Sequence, residues 1–197
     1  RVSVWWGKRE VCVMSSSSSQ DALHRVAHQV RNARLGNRHD LEVVVDKPQV
    51  HCLNEDPDHP IRHLFLSGPD MFLQSDCDEQ LLMVFPFQHP VHLDAIAIRS
   101  LDSEMGPRTL RLFVDGKDMD FEDVEDKKPA QEIVLSKDDL QRGRAVDVEG
   151  SQFRNISKLT IFVVDNQGDT DTTTISRIEL LGDKLTGVDL KNLKKVG

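Results

Sequence analysis

From Leu41 onward, apolar side chains recur in short runs with a period near two. That spacing sends alternate side chains to opposite faces of a strand. The runs are Leu41–Val45, Leu81–Phe87, Val91–Ile98, Thr109–Val114, Gln131–Leu135, Ala145–Glu149, Lys158–Val164 and Ile175–Leu181. Turn formers separate many of them: His89-Pro90, Gly106-Pro107, Asp115-Gly116 and Asn166-Gln167-Gly168. Short strands at this spacing predict an all-β sandwich or barrel. The alternation nominates Leu81, Leu82, Val84, Leu110, Leu112, Leu159, Ile161, Val163, Ile178 and Leu180 for the core. A doubly wound α/β fold is disfavoured, because no helical run recurs between the strands.

Helix is minor in this pattern. Ser136–Gln141 carries a capping-box-like signature, with Ser136 at the cap and Asp139 three residues on. Residues 186–195 read as a short terminal helix or a loose arm. Before the strands, residues 20–35 (QDALHRVAHQVRNARL) have a helical period, with Ser19 or Asp21 at the start and Gly36 at the end. This predicts a short N-terminal helical extension.

Composition divides the chain near residue 40. Residues 1–40 carry a net charge of +4, and residues 41–197 carry −12. Both tryptophans (Trp5, Trp6) lie in the first part, all eight phenylalanines lie in the second, and tyrosine is absent. The chain therefore reads as a poorly structured basic leader over 1–40 and a folded body over 41–197. Met14, followed by five serines, reads as an initiator, and a genuine N-terminal extension is the alternative. The Arg-rich, acid-poor helix resembles a mitochondrial presequence, although a flexible leader accounts for it more simply. The overall charge of −8 disfavours a broad nucleic-acid surface, and no apolar run has the length of a membrane span.

Three cysteines, Cys12, Cys52 and Cys77, form neither a disulfide framework nor a C-x-x-C redox motif. No G-x-G-x-x-G, phosphate-binding loop or G-x-S-x-G occurs. His51, His59 and His63 cluster near Cys52, but Pro60 interrupts the His59–His63 spacing, so loop histidines are the simpler reading than zinc. Cys77 lies between acids, which disfavour its thiolate. His51 and Cys52, adjacent on a strand, point to opposite faces. The string DNQGDTD at Asp165–Asp171 lacks the Gly and Glu positions of an EF-hand. A turn between strands explains it, and a calcium site in a sandwich loop stays open. Asp115–Lys128 holds seven acids around Met119, Phe121 and Val124. It reads as a solvated acidic loop anchored through Phe121.

The body is similar to a known family. HCLNE at His51–Glu55, SDCDEQLL at Ser75–Leu82, Pro86-Phe87, Gly106-Pro107, Leu112-Phe113, Met119-Asp120-Phe121, FRNISKLTIFV at Phe153–Val163, DNQGDTDTT at Asp165–Thr173 and Leu181-Gly182 together resemble the PITH domain. This is the proteasome-interacting module of thioredoxin-like proteins. The resemblance implies a jelly-roll β-sandwich of galactose-binding-like architecture, similar to a subunit of the anaphase-promoting complex. It also implies association with the proteasome regulatory particle and no catalysis by the domain. Thr174 stands where the resemblance leads one to expect a basic residue.

The resulting expectation is a non-enzymatic binding module acting as a monomer in the cytoplasm and nucleus, with the mitochondrion as alternative if the leader is a presequence. It is expected to need no cofactor or metal and to bind neither nucleic acid nor membrane. End loops are free to vary while the sheets hold the core, so they are the candidate contacts. They are Asp76, Asp78, Glu79 and Gln80; Asp165, Asn166, Gln167, Asp169 and Asp171; and the arm residues Lys191, Lys194 and Lys195. The alternative is a carbohydrate- or small-ligand-binding sandwich, against which the lack of Trp and Tyr in the body counts. A thiol-redox enzyme would need Cys52 and Cys77 within bonding geometry.

Overall fold

The computed structural model describes residues 38–68 and 70–184. The predicted helix over 20–35 and the arm over 186–195, with Lys191, Lys194 and Lys195, lie outside the described residues. The strands in chain order are β1 (His39–Asp40), β2 (His51–Leu53), β3 (Leu73–Gln74), β4 (Leu81–Arg99), β5 (Pro107–Val114), β6 (Gln131–Val134), β7 (Ala145–Asp147), β8 (Arg154–Asn166), β9 (Thr174–Ile175) and β10 (Arg177–Lys184). Among the described residues, two short α-helices, α1 (Phe121–Asp126) and α2 (Lys137–Arg142), interrupt them. All pairings are antiparallel.

Strand β4 organises the body. It runs for 19 residues, which is about 60 Å if straight at roughly 3.3 Å per residue. Its first half, Leu81–Pro86, pairs with β2 and with Lys158–Val163 of β8. Its second half pairs with β10 and β7. The register slips between Pro86 and Val91 and again between Val91 and His92. The first slip loops extra residues out of β4 and the second adds one on β8. Such interruptions of the ladder, like bulges, bend a strand and raise its twist. One hydrogen-bonded sheet of eight strands is thereby folded back into two layers, giving the expected jelly-roll sandwich. Pro86 and Pro90 sit at this bend, where a missing backbone donor costs least.

The space between the layers holds a single apolar core. Leu81, Met83 and Phe85 from β4, Leu110 and Leu112 from β5, and Leu159, Ile161 and Val163 from β8 meet Leu93, Ile96, Ile98 and Leu180. The inward set shifts from odd to even positions of β4 between Leu93 and Ile96. A second register break, between Leu181 and Gly182 of β10, lies opposite that shift. Most of the expected core is fully buried. Ile178 is only half-buried at its edge, and Leu82 belongs to a separate cluster on the sheet's outer face.

That outer cluster overturns the reading of Asp115–Lys128 as a loop. Asp120 caps α1, its Oδ1 accepting from the Asp123 N–H at 2.9 Å. Glu122 and Asp123 occupy the first turn, where the helix dipole favours negative charge. The helix turns Val124 inward and, with Met119, covers Leu82, Phe113 and Phe162. Phe121 does anchor the segment, its ring edge-on to Phe162 with centroids 6.0 Å apart. The predicted capping box forms at α2, where Ser136 and Asp139 bond reciprocally and Leu140 is buried. Gly143 closes the helix in the left-handed conformation, φ 59°.

Two further expectations are corrected. Leu41–Val45 is not a strand: Leu41–Val44 forms a 3-10 turn capped by Asp40, which accepts from the Glu42 N–H at 2.9 Å. Leu41 and Val44, three apart, therefore face the core, while Val43 is 79% exposed. His89-Pro90 does not end a strand. It lies within β4, at the exposed outside of the bend.

Gly182 of the Leu181-Gly182 motif has a packing reason. A Cβ there would collide with the backbone carbonyl oxygen of His92 on β4. Gly182→Ala should destabilise the fold by about 3 kcal/mol, the upper range for overpacking against an unyielding neighbour. Urea unfolding measures it, and an unchanged midpoint would refute the tight approach of β10 to the bend.

Candidate functional site

Of the predicted contact segments, the two that lie among the described residues meet at one end of the sandwich. Residues 75–80 enter β4 at Leu81, which pairs with Val163, and residues 165–174 leave the same end of β8. The connection from β4 to β5 joins them there. Gly168 N–H donates to the Glu104 carbonyl at 2.8 Å, Gln167 N–H to Gly106 at 2.9 Å and Thr174 N–H to Met105 at 2.8 Å.

The loop 75–80 is built on Asn54 of the HCLNE motif. Asn54 has φ 64°, a left-handed geometry that Asn tolerates better than most residues. Its Nδ2 donates to the Gln80 carbonyl at 2.7 Å and to Asp78 Oδ1 at 2.8 Å. Its Oδ1 accepts from the Cys77 N–H at 3.0 Å, and its carbonyl from the Asp76 N–H at 3.0 Å. Asp78 Oδ1 also accepts from the Gln80 N–H at 3.0 Å. Ser75 and Thr173, both fully buried, clip the two loops together. Ser75 N–H donates to the Thr173 carbonyl at 3.0 Å, Thr173 N–H to Ser75 Oγ at 2.8 Å, and Thr173 Oγ1 to the Glu79 carbonyl at 2.7 Å.

The loop 165–174 is organised from within. Asn166 is fully buried. Its Nδ2 donates to the Thr170 carbonyl at 2.8 Å and its Oδ1 accepts from the Thr170 N–H at 2.9 Å. Half-buried Gln167 donates from Nε2 to the carbonyls of Leu135 (2.7 Å) and Pro107 (3.1 Å). Asp165 accepts from Arg108 Nη2 at 2.7 Å and from the Thr109 N–H at 2.8 Å. Burial alone would raise the Asp165 carboxyl, but the Arg108 and Thr109 hydrogen bonds outweigh it and hold the group below the usual carboxylate range. Asn166 therefore spends its polar groups on the loop itself, whereas Gln167 and Asp165 tie the loop to β5 and to Leu135.

What faces outward is a rim of acids. Asp76, Asp78, Asp169 and Asp171 are exposed and Glu79 is half-buried. Exposed Asp102 and Glu104 extend the rim from the third loop, and the strand pattern gave no signal for them. Asp169 also reaches Arg108 at 3.1 Å. Asp76 has its contact with Cys77, whose thiol donates to Oδ2 at 3.5 Å. That hydrogen bond, reinforced by the charges of Asp76 and Asp78, raises the Cys77 thiol. Burial raises the Cys52 thiol more strongly. Neither environment favours a thiolate nucleophile. His51 is exposed and Cys52 buried, on opposite faces of β2 as alternation requires. His59 stacks on Phe72 with centroids 4.0 Å apart. Among the described residues no group of three or more His, Cys, Asp or Glu is placed to hold a metal ion, and no helix is long and apolar enough to cross a membrane. Thr174, where a basic residue was expected, is buried with its hydroxyl 3.0 Å from Ser100 Oγ, so this chain closes the position with a hydroxyl pair.

Asn54→Ala loses the side-chain bonds and places a Cβ-bearing residue without local compensation at positive φ. A loss of about 2–3 kcal/mol is expected, with Asn54→Gly less affected because it keeps the backbone geometry; chemical denaturation of the pair separates the two contributions. Asp165→Asn tests the electrostatics. The folded carboxyl titrates below its unfolded value of about 3.9, so its contribution is complete above that pH and is lost as pH falls through the folded value. Asp165→Asn should therefore be less stable than the native protein at neutral pH. The gap should narrow as pH drops below about 4, and a gap independent of pH in urea melts would refute the assignment.

Comparison with known proteins agrees with this architecture. A family model described as the PITH domain matches residues 31–197. Thioredoxin-like protein 1 of Schizosaccharomyces pombe is 35% identical over 162 residues, covering 79% of this chain and 55% of that protein. PITH domain-containing protein 1 of Homo sapiens is 31% identical over 153 residues, covering 75% of this chain and 71% of that protein. The chain thus spans little more than half the length of the first relative. Among solved structures, the family 32 carbohydrate-binding module of NanJ from C. perfringens, in complex with galactose, superposes with a TM-score of 0.51 at 7% identity, covering 70% of this chain and 98% of that one. An F5/8 type C domain from Bacteroides fragilis gives 0.51 at 15% identity, covering 76% and 99%. These likenesses show a shared galactose-binding-like sandwich fold. With the family model matching the whole of the folded body, the chain belongs to the PITH domain family.

Proposed function

We propose that this chain is a non-enzymatic binding module that docks on the proteasome regulatory particle through its acidic loop end. The observation that carries the proposal is the division of labour at that end. Asn54, Ser75, Asn166, Gln167 and Thr173 lock the loops from inside, while Asp76, Asp169 and Asp171 project outward. A rigid, pre-organised charged edge loses little entropy on binding and suits recognition of a basic partner surface. Family membership supports the partner, because the resemblance implies proteasome association. The role would place the protein in the cytoplasm and nucleus. Sugar binding has weaker support: the described body lacks Trp and Tyr, and the likeness to the galactose-bound module reaches the fold alone.

Charge reversal separates contact from scaffold. Asp76 and Asp171 lie at the rim, whereas Asp78 holds Asn54 and the Gln80 amide. Asp76→Lys with Asp171→Lys should reduce capture of the regulatory particle from lysate by the full chain and leave the melting temperature unchanged. Asp78→Lys should lower the melting temperature by several degrees, as a loss of about 1 kcal/mol does in a domain of this size. Capture should fall with added salt, since the Debye length shrinks from about 8 Å at physiological strength to about 3 Å at 1 M. No enrichment of any proteasome subunit by the intact chain would overturn the proposal.

A further inference from the structure

The end of the sandwich opposite the acidic loops carries a different surface. There β5 ends at Val114, paired with Leu159, and the chain leaves it through Gly116 toward α1. Between that turn, the segment after α1 and Gln152 lies an open trough of about 680 Å³. Its floor is apolar, with buried Phe113 and Met119 and half-buried Pro129. Its rim carries exposed Lys117, Lys127 and Lys128, and no carboxylate lines it. In a chain of net charge −8, a trough whose only charged lining groups are three lysines stands apart.

Of the seven acids in Asp115–Lys128, four are engaged by partners, while Glu122, Glu125 and Asp126 are exposed on α1 and do not line the trough. Asp115 accepts from the backbone amides of Ser157 (2.7 Å) and Lys158 (3.1 Å). Asp118 pairs with Lys158 at 3.0 Å, Asp120 caps α1, and Asp123 pairs with Lys127 at 2.9 Å. Neither Lys117 nor Lys128 has an ion-pair partner among the described residues. The Gln152 amide is held in place by donating to the Ala130 carbonyl at 3.0 Å. Lys127 is held by Asp123, whose carboxyl the Lys117 charge also lowers, and Lys128 stands beside them. Ammonium groups around an apolar floor suit a ligand with carboxylates flanking an apolar anchor.

We propose that this trough docks an acidic segment of a partner protein, with one large apolar side chain on Phe113, Met119 and Pro129 and carboxylates on Lys117 and Lys128. A peptide fits better than a small amphiphile. Small-ligand pockets bury most of their ligand's surface, whereas this trough is open to solvent with its cations at the outer edge. Linear segments are commonly read through an apolar anchor and flanking charges. The inference is independent of proteasome docking, uses the opposite end of the body and is tested with purified components.

The test is fluorescence anisotropy with the full chain and a fluorescein-labelled peptide carrying a central leucine flanked by aspartates. The asparagine counterpart of that peptide and decanoate serve as comparisons. The acidic peptide is expected to bind. The double variant Lys117→Gln, Lys128→Gln should weaken binding about five- to tenfold, the scale of two exposed ion pairs, with an unchanged melting temperature. Amide chemical-shift changes should map to residues 113–119 and 127–130. Absence of binding, equal binding of the asparagine peptide or undiminished binding by the double variant would overturn the proposal. So would shifts confined to the acidic end, or decanoate binding as tightly as the peptide.

Discussion

One strand has to serve two layers, and the rest of the body depends on how it bends. Leu81–Arg99 gives its first half to one sheet layer and its second half to the other. A flat strand of that length would leave both halves in one plane with an uncovered apolar face. The slips between Pro86 and His92 turn it, and the same turn brings Gly182 against the His92 carbonyl. Apolar faces that single layers would expose become one core. At roughly 25 cal/mol per Å² of apolar surface removed from water, that coalescence is the main driving force.

The bend also fixes the two ends of the sandwich. Strands β4, β5 and β8 set their termini in register, so loops 75–80, 100–106 and 165–174 emerge together. Side chains of those loops then divide by burial. Asn166, Ser75 and Thr173 have no exposure and bond to backbone. An unpaired buried polar group costs about 1–3 kcal/mol, so these residues are tied to the fold. Asp76, Asp169 and Asp171 carry no comparable burial and stand exposed at the rim, Asp169 beside Arg108.

Much of this was legible in the sequence, and the misses have specific causes. Alternation in Leu110–Leu112 and Leu159–Val163 gave the strands, because inward positions there are uniformly apolar. Leu41–Val44 misled because a period of three mimics alternation over so short a run, and only Asp40 at the cap marked the turn. His89-Pro90 misled because a proline at a bulge has the same local signature as a proline in a turn. In Asp115–Lys128 the apolar residues were visible and Phe121 marked the anchor, but seven acids in so short a run hid the helix that brings Met119 and Val124 over Leu82, Phe113 and Phe162. At the site, residue types identified the loops but not their roles. Nothing in the one-dimensional pattern says that Asn54 reaches Asp78, 24 residues away, or that Asn166 is buried.

The central claim is that the locked loops form a scaffold for an acidic contact edge. Carbodiimide cross-linking of the full chain to purified regulatory particle, read by mass spectrometry, tests it most directly, because the reagent joins carboxylates to lysines within contact distance. The account predicts cross-links from Asp76, Glu79, Asp169 and Asp171 to lysines of the particle. Cross-links found only at other exposed acids, such as Glu122, Glu125 and Asp126, would contradict it.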